Sequence, residues 1–337
     1  MSITLRLKKA SHLIQQEHFK EGNIMGKNST DCSVIVCCYN PTVERLKETI
    51  ISIVKQEDCS VQVVIADDGS KNNYLEEIKE WNSQFEGIEF IYSILPENKG
   101  TVINLLCALK LASSEVVKTI SPGDYLFSTR TLRDYLDCYK ESNADIIIGD
   151  VIYYKDFDHL VPDKMPHCFM TYSNRYMARN ILVFNDHLHG AGFFVKRQSA
   201  IAKLEKIVGR VRLAEDISLV NLALLSNENI QHLSKKVVWY EYGTGISNIK
   251  SPNSPMRVDS TALWNYMGEA YDISDITRNR QLYFSDKSLI EKSIIIPGYL
   301  GYLVTSMMTI TMRMLKYLLR FAFKEKWLKN LRGMITL

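Results

Sequence analysis

Two apolar runs that stop abruptly at polar turn residues constrain this chain most. Ser33-Val34-Ile35-Val36-Cys37-Cys38 ends at Tyr39-Asn40-Pro41, and Val63-Val64-Ile65-Ala66 ends at Asp67-Asp68-Gly69-Ser70. Runs without alternation are strands buried on both faces, which requires a sheet covered on both sides. Two further turns follow, Asn98-Lys99-Gly100-Thr101 and Ser121-Pro122-Gly123-Asp124, flanking a helix and strand between them. Such a sheet places its ligand at the carboxyl ends of its parallel strands.

The intervening segments complete an alternating pattern. Leu46, Ile50, Ile53 and Val54 have helical spacing between Thr42 and Gln56, with Pro41 just before, where a missing N–H costs little. Strands are predicted over Val61–Ala66, Ile88–Ile94 and Glu115–Ile120, with helices over Leu75–Trp81 and Thr101–Ala112. Strand–helix alternation with short turns implies right-handed crossovers and a mostly parallel sheet. Further along, a helix over Leu132–Tyr139 and strands at Asp145–Gly149, Gly192–Lys196 and Val237–Tyr242 are expected, with a helix over Ala214–Leu225. Residues 155–185 lose periodicity, as a functional loop or lid would.

The charge is unevenly distributed. Against 41 Lys and Arg stand 38 Asp and Glu, but seven of the cations and a single acid, Glu325, fall between Arg313 and Leu337. The remainder of the chain is therefore slightly acidic, and one short basic helix on such a body points to a lipid surface rather than nucleic acid. From Met314 to Leu331 the apolar positions Leu315, Leu318, Leu319, Ala322 and Phe323 alternate with Lys316, Arg320 and Lys324 at helical spacing. That pattern predicts a cationic amphipathic helix lying in the headgroup plane of a membrane leaflet; the alternative is a helix docked on the chain's own core. The twenty uncharged residues 293–312 reach spanning length, but Pro297, Gly298, Gly301 and five hydroxyl residues weaken the signal. Seven cysteines without a CxxC pair suit reduced thiols in a cytoplasm. No apolar stretch of signal-peptide length follows Arg6, Lys8 and Lys9.

In order and spacing, the four turns resemble those of the inverting family-two glycosyltransferases, of the bacterial O-antigen and capsule type. The resemblance covers about residues 31–250 and implies a GT-A fold: α/β, with a mostly parallel central sheet flanked by helices. Residues 1–30 are then an N-terminal extension, and 251–337 a C-terminal helical region carrying the membrane-associating helix.

The family also implies roles. Asp67 corresponds to the Asp that contacts the nucleobase, beside Asp68, and Tyr39, Asn40 and Pro41 to the turn flanking the same base. Asn98, Gly100 and Asn104 match the family's Asn-x-Gly turn and following Asn, although Ile103 stands where many relatives carry Arg. Gly123 and Asp124 stand at the Asp-x-Asp position, where only Asp124 supplies a carboxylate. A divalent cation, Mn²⁺ or Mg²⁺, is thus expected at Asp124 with substrate oxygens completing its shell. Glu215-Asp216 matches the family's Glu-Asp motif, Asp216 being the expected base and Glu215 second. An inverting transfer needs one such base, and a helix N-terminus would lower its pKa. His189, Gly190 and Gly192 resemble the segment beneath donor sugar and acceptor. Gly245 and Ser247 lie in a turn expected to meet the diphosphate. His187 and His189 form an H-x-H pair without an evident third ligand.

The expected activity is transfer of a sugar from a nucleotide-sugar, UDP-linked by preference, to a polyprenyl-diphosphate-linked saccharide at the inner face of the cell membrane. A nucleotidyltransferase would show a Gly-rich basic loop after its first strand, and Tyr39-Asn40-Pro41 is not one. A catalytically silent GT-A-like membrane adaptor is the other alternative.

Overall fold

The computed structural model describes residues 30–161, 177–186, 188–243 and 254–336, with backbone alone at 309, 313, 316, 317, 320 and 321. The expected positions Gly245, Ser247 and His187, the extension 1–29 and residues 162–176 of the irregular stretch lie outside them.

The first half is a wound α/β unit. Strands β1 (Cys32–Cys38), β2 (Val61–Asp67), β3 (Glu89–Ile94) and β4 (Val116–Ile120) are joined through helices α1 (Val43–Val54), α2 (Leu75–Asn82) and α3 (Thr101–Leu111). They pair in parallel in the order β3-β2-β1-β4, with Cys38 level with Asp67 and Asp67 with Ile94. This register brings the turns after β1, β2 and β3 to one edge.

The second half extends the sheet with mixed directions. After the two-residue β5 (Tyr125–Leu126) and α4 (Thr131–Ser142) come β6 (Ile146–Asp156), β7 (His159–Leu160), β8 (Phe193–Lys196), α5 (Arg197–Ile207), α6 (Glu215–Leu225) and β9 (Ile230–Glu241). The nine-stranded sheet runs β3-β2-β1-β4-β8-β6-β9-β5, with β7 on β6. β8 is antiparallel to both β4 and β6, and β6 is parallel to β9. β6 and β9 both run longer than their periodicity predicts, because a register shift between Gly149 and Val151 lets the pair bend and continue.

Helices cover both faces, as the unalternated strands require. Val102, Leu106 and Leu109 of α3 pack with Leu204 of α5 and Leu219 and Leu222 of α6 on one face. Leu46, Ile50 and Ile53 of α1, Ile78 of α2 and Leu132 and Leu136 of α4 cover the other.

The C-terminal region differs most from expectation. It contains α7 (Pro255–Ala270), α8 (Ser274–Phe284), α9 (Leu289–Ile295), α10 (Tyr299–Ala322) and α11 (Lys324–Ile335). The uncharged stretch 293–312 is not one helix: Pro297-Gly298 separates α9 from α10, with Gly298 at φ +77°. Among the described residues no helix is long and apolar enough to cross a membrane. The amphipathic helix expected over Met314–Leu331 is also split, at Phe323, and its two parts behave differently. On α10, Met307, Met314 and Leu318 are exposed, whereas on α11 Leu328, Leu331 and Met334 are buried. Leu331 and Ile335 pack with Tyr125, Ile152 and Trp239, so α11 docks on the core, whereas α10 packs through its first turns, where Tyr299 and Tyr302 meet Phe184, and exposes its later apolar residues.

Candidate active site

At the carboxyl edge of the sheet lies a cleft of about 560 Å³. Among the expected residues, Tyr39, Asn40, Pro41, Asp68, Asn104 and Asp124 line it, facing His189, Gly190, Glu215 and Asp216. Asp67, Asn98, Gly100, Gly123 and Gly192 do not line it; they build the turns that do.

The turns after β1 and β2 are knitted together. The Asn40 N–H donates to Ser70 Oγ at 2.7 Å, and the Lys71 N–H to Asn40 Oδ1 at 2.9 Å. Asp67 Oδ1 accepts from the Ser70 N–H at 2.8 Å, while its Oδ2 is buried with no partner among the described residues. Asp68 is occupied differently. Its carboxylate accepts from the backbone N–H groups of Lys99 (2.7 Å) and Gly100 (2.9 Å), tying β2 to the start of α3. Burial raises its pKa against those hydrogen bonds. Gly100, at φ +92°, also lies against Arg212, which a Cβ would strike. Arg212 in turn bonds the Asn98 side chain. One residue into α3's second turn, Asn104 donates to the Ala66 carbonyl at 2.9 Å, and its Oδ1 is buried without a partner among the described residues.

Asp124 is held from three directions. Thr49 Oγ1 of α1 accepts from the Gly123 N–H at 3.0 Å and donates to the Asp124 carbonyl at 2.9 Å. Tyr154 of β6 donates to the Gly123 carbonyl. The Glu241 N–H, at the end of β9, donates to Asp124 Oδ1 at 3.0 Å. Burial pushes the Asp124 pKa up to about 7. Among the described residues no group of three His, Cys, Asp or Glu side chains could by itself hold a metal. With one carboxylate at this turn, a hard cation would have to take most of its oxygen ligands from a bound substrate.

Lys118 on β4 is fully buried beneath the cleft, and its ammonium donates to the carbonyls of Ala191 (2.7 Å) and Thr119 (2.5 Å). Burial lowers its pKa to about 7, opposed by the Asp124 charge. It thus bolts β4 to the His189–Gly192 segment.

Glu215 and Asp216 open α6, and the expected depression of their pKa values is not found. Burial, followed by the charge of Asp216, raises Glu215 to about 8; burial also raises Asp216. Desolvation by the cleft walls outweighs the partial positive charge of the helix end. Glu215 accepts from the Thr101 hydroxyl. Asp259 of α7, buried, accepts from the Arg212 N–H at 3.0 Å and from the Leu213 N–H, fixing the approach to α6.

The comparisons with known proteins agree with this architecture. Residues 33–204 match the model of glycosyl transferase family 2. The chain belongs to that family. It is 35% identical over 126 residues to the uncharacterised glycosyltransferase MG060 of Mycoplasma genitalium, an alignment covering 36% of this chain and 41% of that protein. The crystal structure of S. aureus TarS has a TM-score of 0.54 at 20% identity, covering 76% of this chain and 44% of that one. For TarS residues 1–349 the TM-score is also 0.54, at 19% identity, with 90% of each chain covered. The same TarS fragment in complex with UDP gives a TM-score of 0.53 at 19% identity, again covering 90% of each chain. At these identities the TarS likeness shows the fold. The chain spans under half the length of MG060 and of the longer TarS chain.

Several site residues of this family member escaped the sequence. Arg45 of α1 lines the cleft and forms an ion pair with Glu241, 196 positions away. Tyr240 lines the cleft from β9 and Met256 from α7. Only Arg45 carries a readable signal, a cation in the first turn of the helix after the Pro41 turn.

Proposed function

We propose that the chain is an inverting glycosyltransferase that moves a sugar from a UDP-linked donor to a hydroxyl of a lipid-linked saccharide, in bacterial surface polysaccharide synthesis. The observation that carries this is the pairing, across one cleft, of Asp124 at the strand-end turn with Glu215-Asp216 at the start of α6. A carboxylate on each side suits a leaving diphosphate on one and an attacking hydroxyl on the other. Residues 31–250 would carry the transfer, and 251–337 the attachment to a membrane surface.

Asp67 and the Tyr39-Asn40-Pro41 turn would hold the base. Among the described residues Asp67 Oδ2 and Asn104 Oδ1 have no hydrogen-bond partner, and a uracil N–H and ribose hydroxyls would offer donors. The TarS fragment whose fold this chain shares has been solved with UDP, which supports a uridine nucleotide. A divalent cation at Asp124 would neutralise the diphosphate. The acceptor oxygen attacks the anomeric carbon from the face opposite the diphosphate. Its proton passes to Asp216, and the bond to the departing phosphate oxygen breaks with its electron pair, leaving UDP. One displacement inverts the anomeric centre. The exposed apolar side of α10 supports a peripheral position on the inner membrane leaflet, where a polyprenyl-diphosphate acceptor would be.

The test is thermal unfolding with UDP, GDP, dTDP or CMP, each with and without Mn²⁺. A nucleotide at a hundred times its Kd stabilises the fold by about 2.7 kcal/mol. A UDP-selective shift enlarged by Mn²⁺ and lost in Asp124→Ala is expected. Asp216→Asn should keep that shift and lose transfer. A folded protein indifferent to every nucleotide would favour the silent adaptor and overturn the proposal.

A further inference from the structure

Tyr240 has no place in the scheme above, yet its surroundings are specific. It lies one residue before Glu241, whose N–H holds Asp124, and its side chain lines the cleft. Its ring meets His189 edge-on at 4.2 Å between centroids and 71°, and Tyr153 at 5.4 Å and 75°. His189 and Tyr153 meet edge-on in turn, at 5.4 Å and 77°. Tyr153 is buried behind the other two, so the three rings form a backed wall rather than loose side chains. The His189 ring is fixed by its Nδ1, which accepts the Ala191 N–H at 3.2 Å. The Tyr240 hydroxyl makes no hydrogen bond among the described residues. Burial and the charges of Asp124, Asp216 and Glu241 push its pKa up to about 12.

Tyr240 is therefore within electrostatic reach of both carboxylates that the proposed transfer uses. Asp124, Asp216, His189 and Tyr240 line one cleft. We propose that Tyr240 and His189 form the subsite for the transferred sugar, and that the sugar is a neutral pyranose. Aromatic rings present a surface to the C–H face of a pyranose, and the free phenol supplies one hydrogen bond to a ring hydroxyl. A uronic acid would put its carboxylate into a cleft whose walls already desolvate Asp124, Glu215 and Asp216, and the same desolvation disfavours it.

This inference rests on the glycosyltransferase reading, and the experiment separates the two. Affinities of UDP, UDP-glucose, UDP-galactose, UDP-N-acetylglucosamine and UDP-glucuronate are measured calorimetrically with Mn²⁺ for the full chain and for Tyr240→Phe and Tyr240→Ala. The expected result is at least tenfold preference for one neutral UDP-sugar over UDP-glucuronate. Tyr240→Ala should weaken that UDP-sugar at least tenfold and leave UDP within twofold, and Tyr240→Phe, which keeps the ring packing, should give a smaller loss of the same kind. Equal weakening of UDP and UDP-sugar, no change in either, or a preference for UDP-glucuronate overturns the subsite while sparing the transferase reading. A wild-type protein that binds none of the five overturns both.

Discussion

Gly190 lies so close to Asp216 that a Cβ built on it would stand 2.5 Å from Oδ2 and 2.7 Å from the Asp216 Cβ. The absence of a side chain there is what lets the α6 carboxylate sit against the His189–Gly192 segment. Gly190→Ala must therefore push Asp216 away from its position. Displacing a reacting group by about 1 Å costs on the order of a hundredfold in rate. Gly190→Ala is expected to lower kcat by about that factor while UDP affinity, which we propose is set at the other side of the cleft, stays within threefold of wild type (about 0.6 kcal/mol). Steady-state kinetics beside UDP calorimetry checks this.

The raised carboxylates predict pH behaviour with a definite sign. Burial pushes the Glu215 carboxyl up to about 8, against 4.5 for the free side chain, so the folded state retains the proton. Stability from this group is full at acid pH and is lost as pH rises from about 4.5 through about 8. Glu215→Gln fixes the neutral form. Its Tm relative to wild type should rise between pH 5 and pH 8.5, and a difference that stays flat would contradict the burial argument. In activity, the acid limb of kcat/KM should lie above the ordinary carboxylate range because Asp216 is raised as well. Glu215 keeps its proton to about pH 8 and is not what raises Asp216, so Glu215→Gln should leave that limb in place.

What could be read in advance and what could not divides by sequence distance. β1 and β2 were legible because strands covered on both faces leave continuous apolar runs, and their turns then fell at one edge by register. Lys118 was not legible: a lysine in Val-Val-Lys-Thr-Ile suggests an exposed strand face, and its partner, Ala191, is 73 positions away. The Arg45–Glu241 pair is equally non-local. The pKa expectation for Asp216 failed because a helix terminus is visible in sequence and the walls that desolvate it are not. The break at Phe323 was hidden for a related reason. Helical spacing continues across it, and only the packing of Trp327 and Leu331 on β5 and β9 shows that α11 turns back to the core.

Arg45 is predicted to contribute to binding and little to stability. Its side chain is 40% exposed and its partner Glu241 lies at the Asp124 turn, so the ion pair is partly solvated. Such pairs contribute about 0–1 kcal/mol to folding. A diphosphate in the cleft would offer the guanidinium a doubly charged partner with bidentate geometry. Arg45→Ala should weaken UDP binding by roughly tenfold, the equivalent of about 1.4 kcal/mol, and shift Tm by no more than about 2–4 °C. Loss of UDP affinity that follows loss of fold would refute the assignment.

The two C-terminal helices, α10 and α11, should separate membrane attachment from folding. Met307 and Leu318 of α10 are 69% and 62% exposed, whereas Leu331 of α11 is 0% exposed. Leu331→Ala opens a cavity beside Tyr125 and Trp239 and should cost about 2–5 kcal/mol of stability. The double change Met307→Ser, Leu318→Ser removes only exposed apolar surface and should leave stability within about 0.5 kcal/mol per site. If α10 lies in the headgroup region, each of these side chains buried in lipid contributes about 1.5–3 kcal/mol, so the double variant should lose at least tenfold in affinity for anionic vesicles. Sedimentation with phosphatidylglycerol-containing vesicles, paired with thermal unfolding, gives both readouts on one sample. Unchanged vesicle binding in the double variant would detach α10 from the membrane proposal and leave the cleft chemistry untouched.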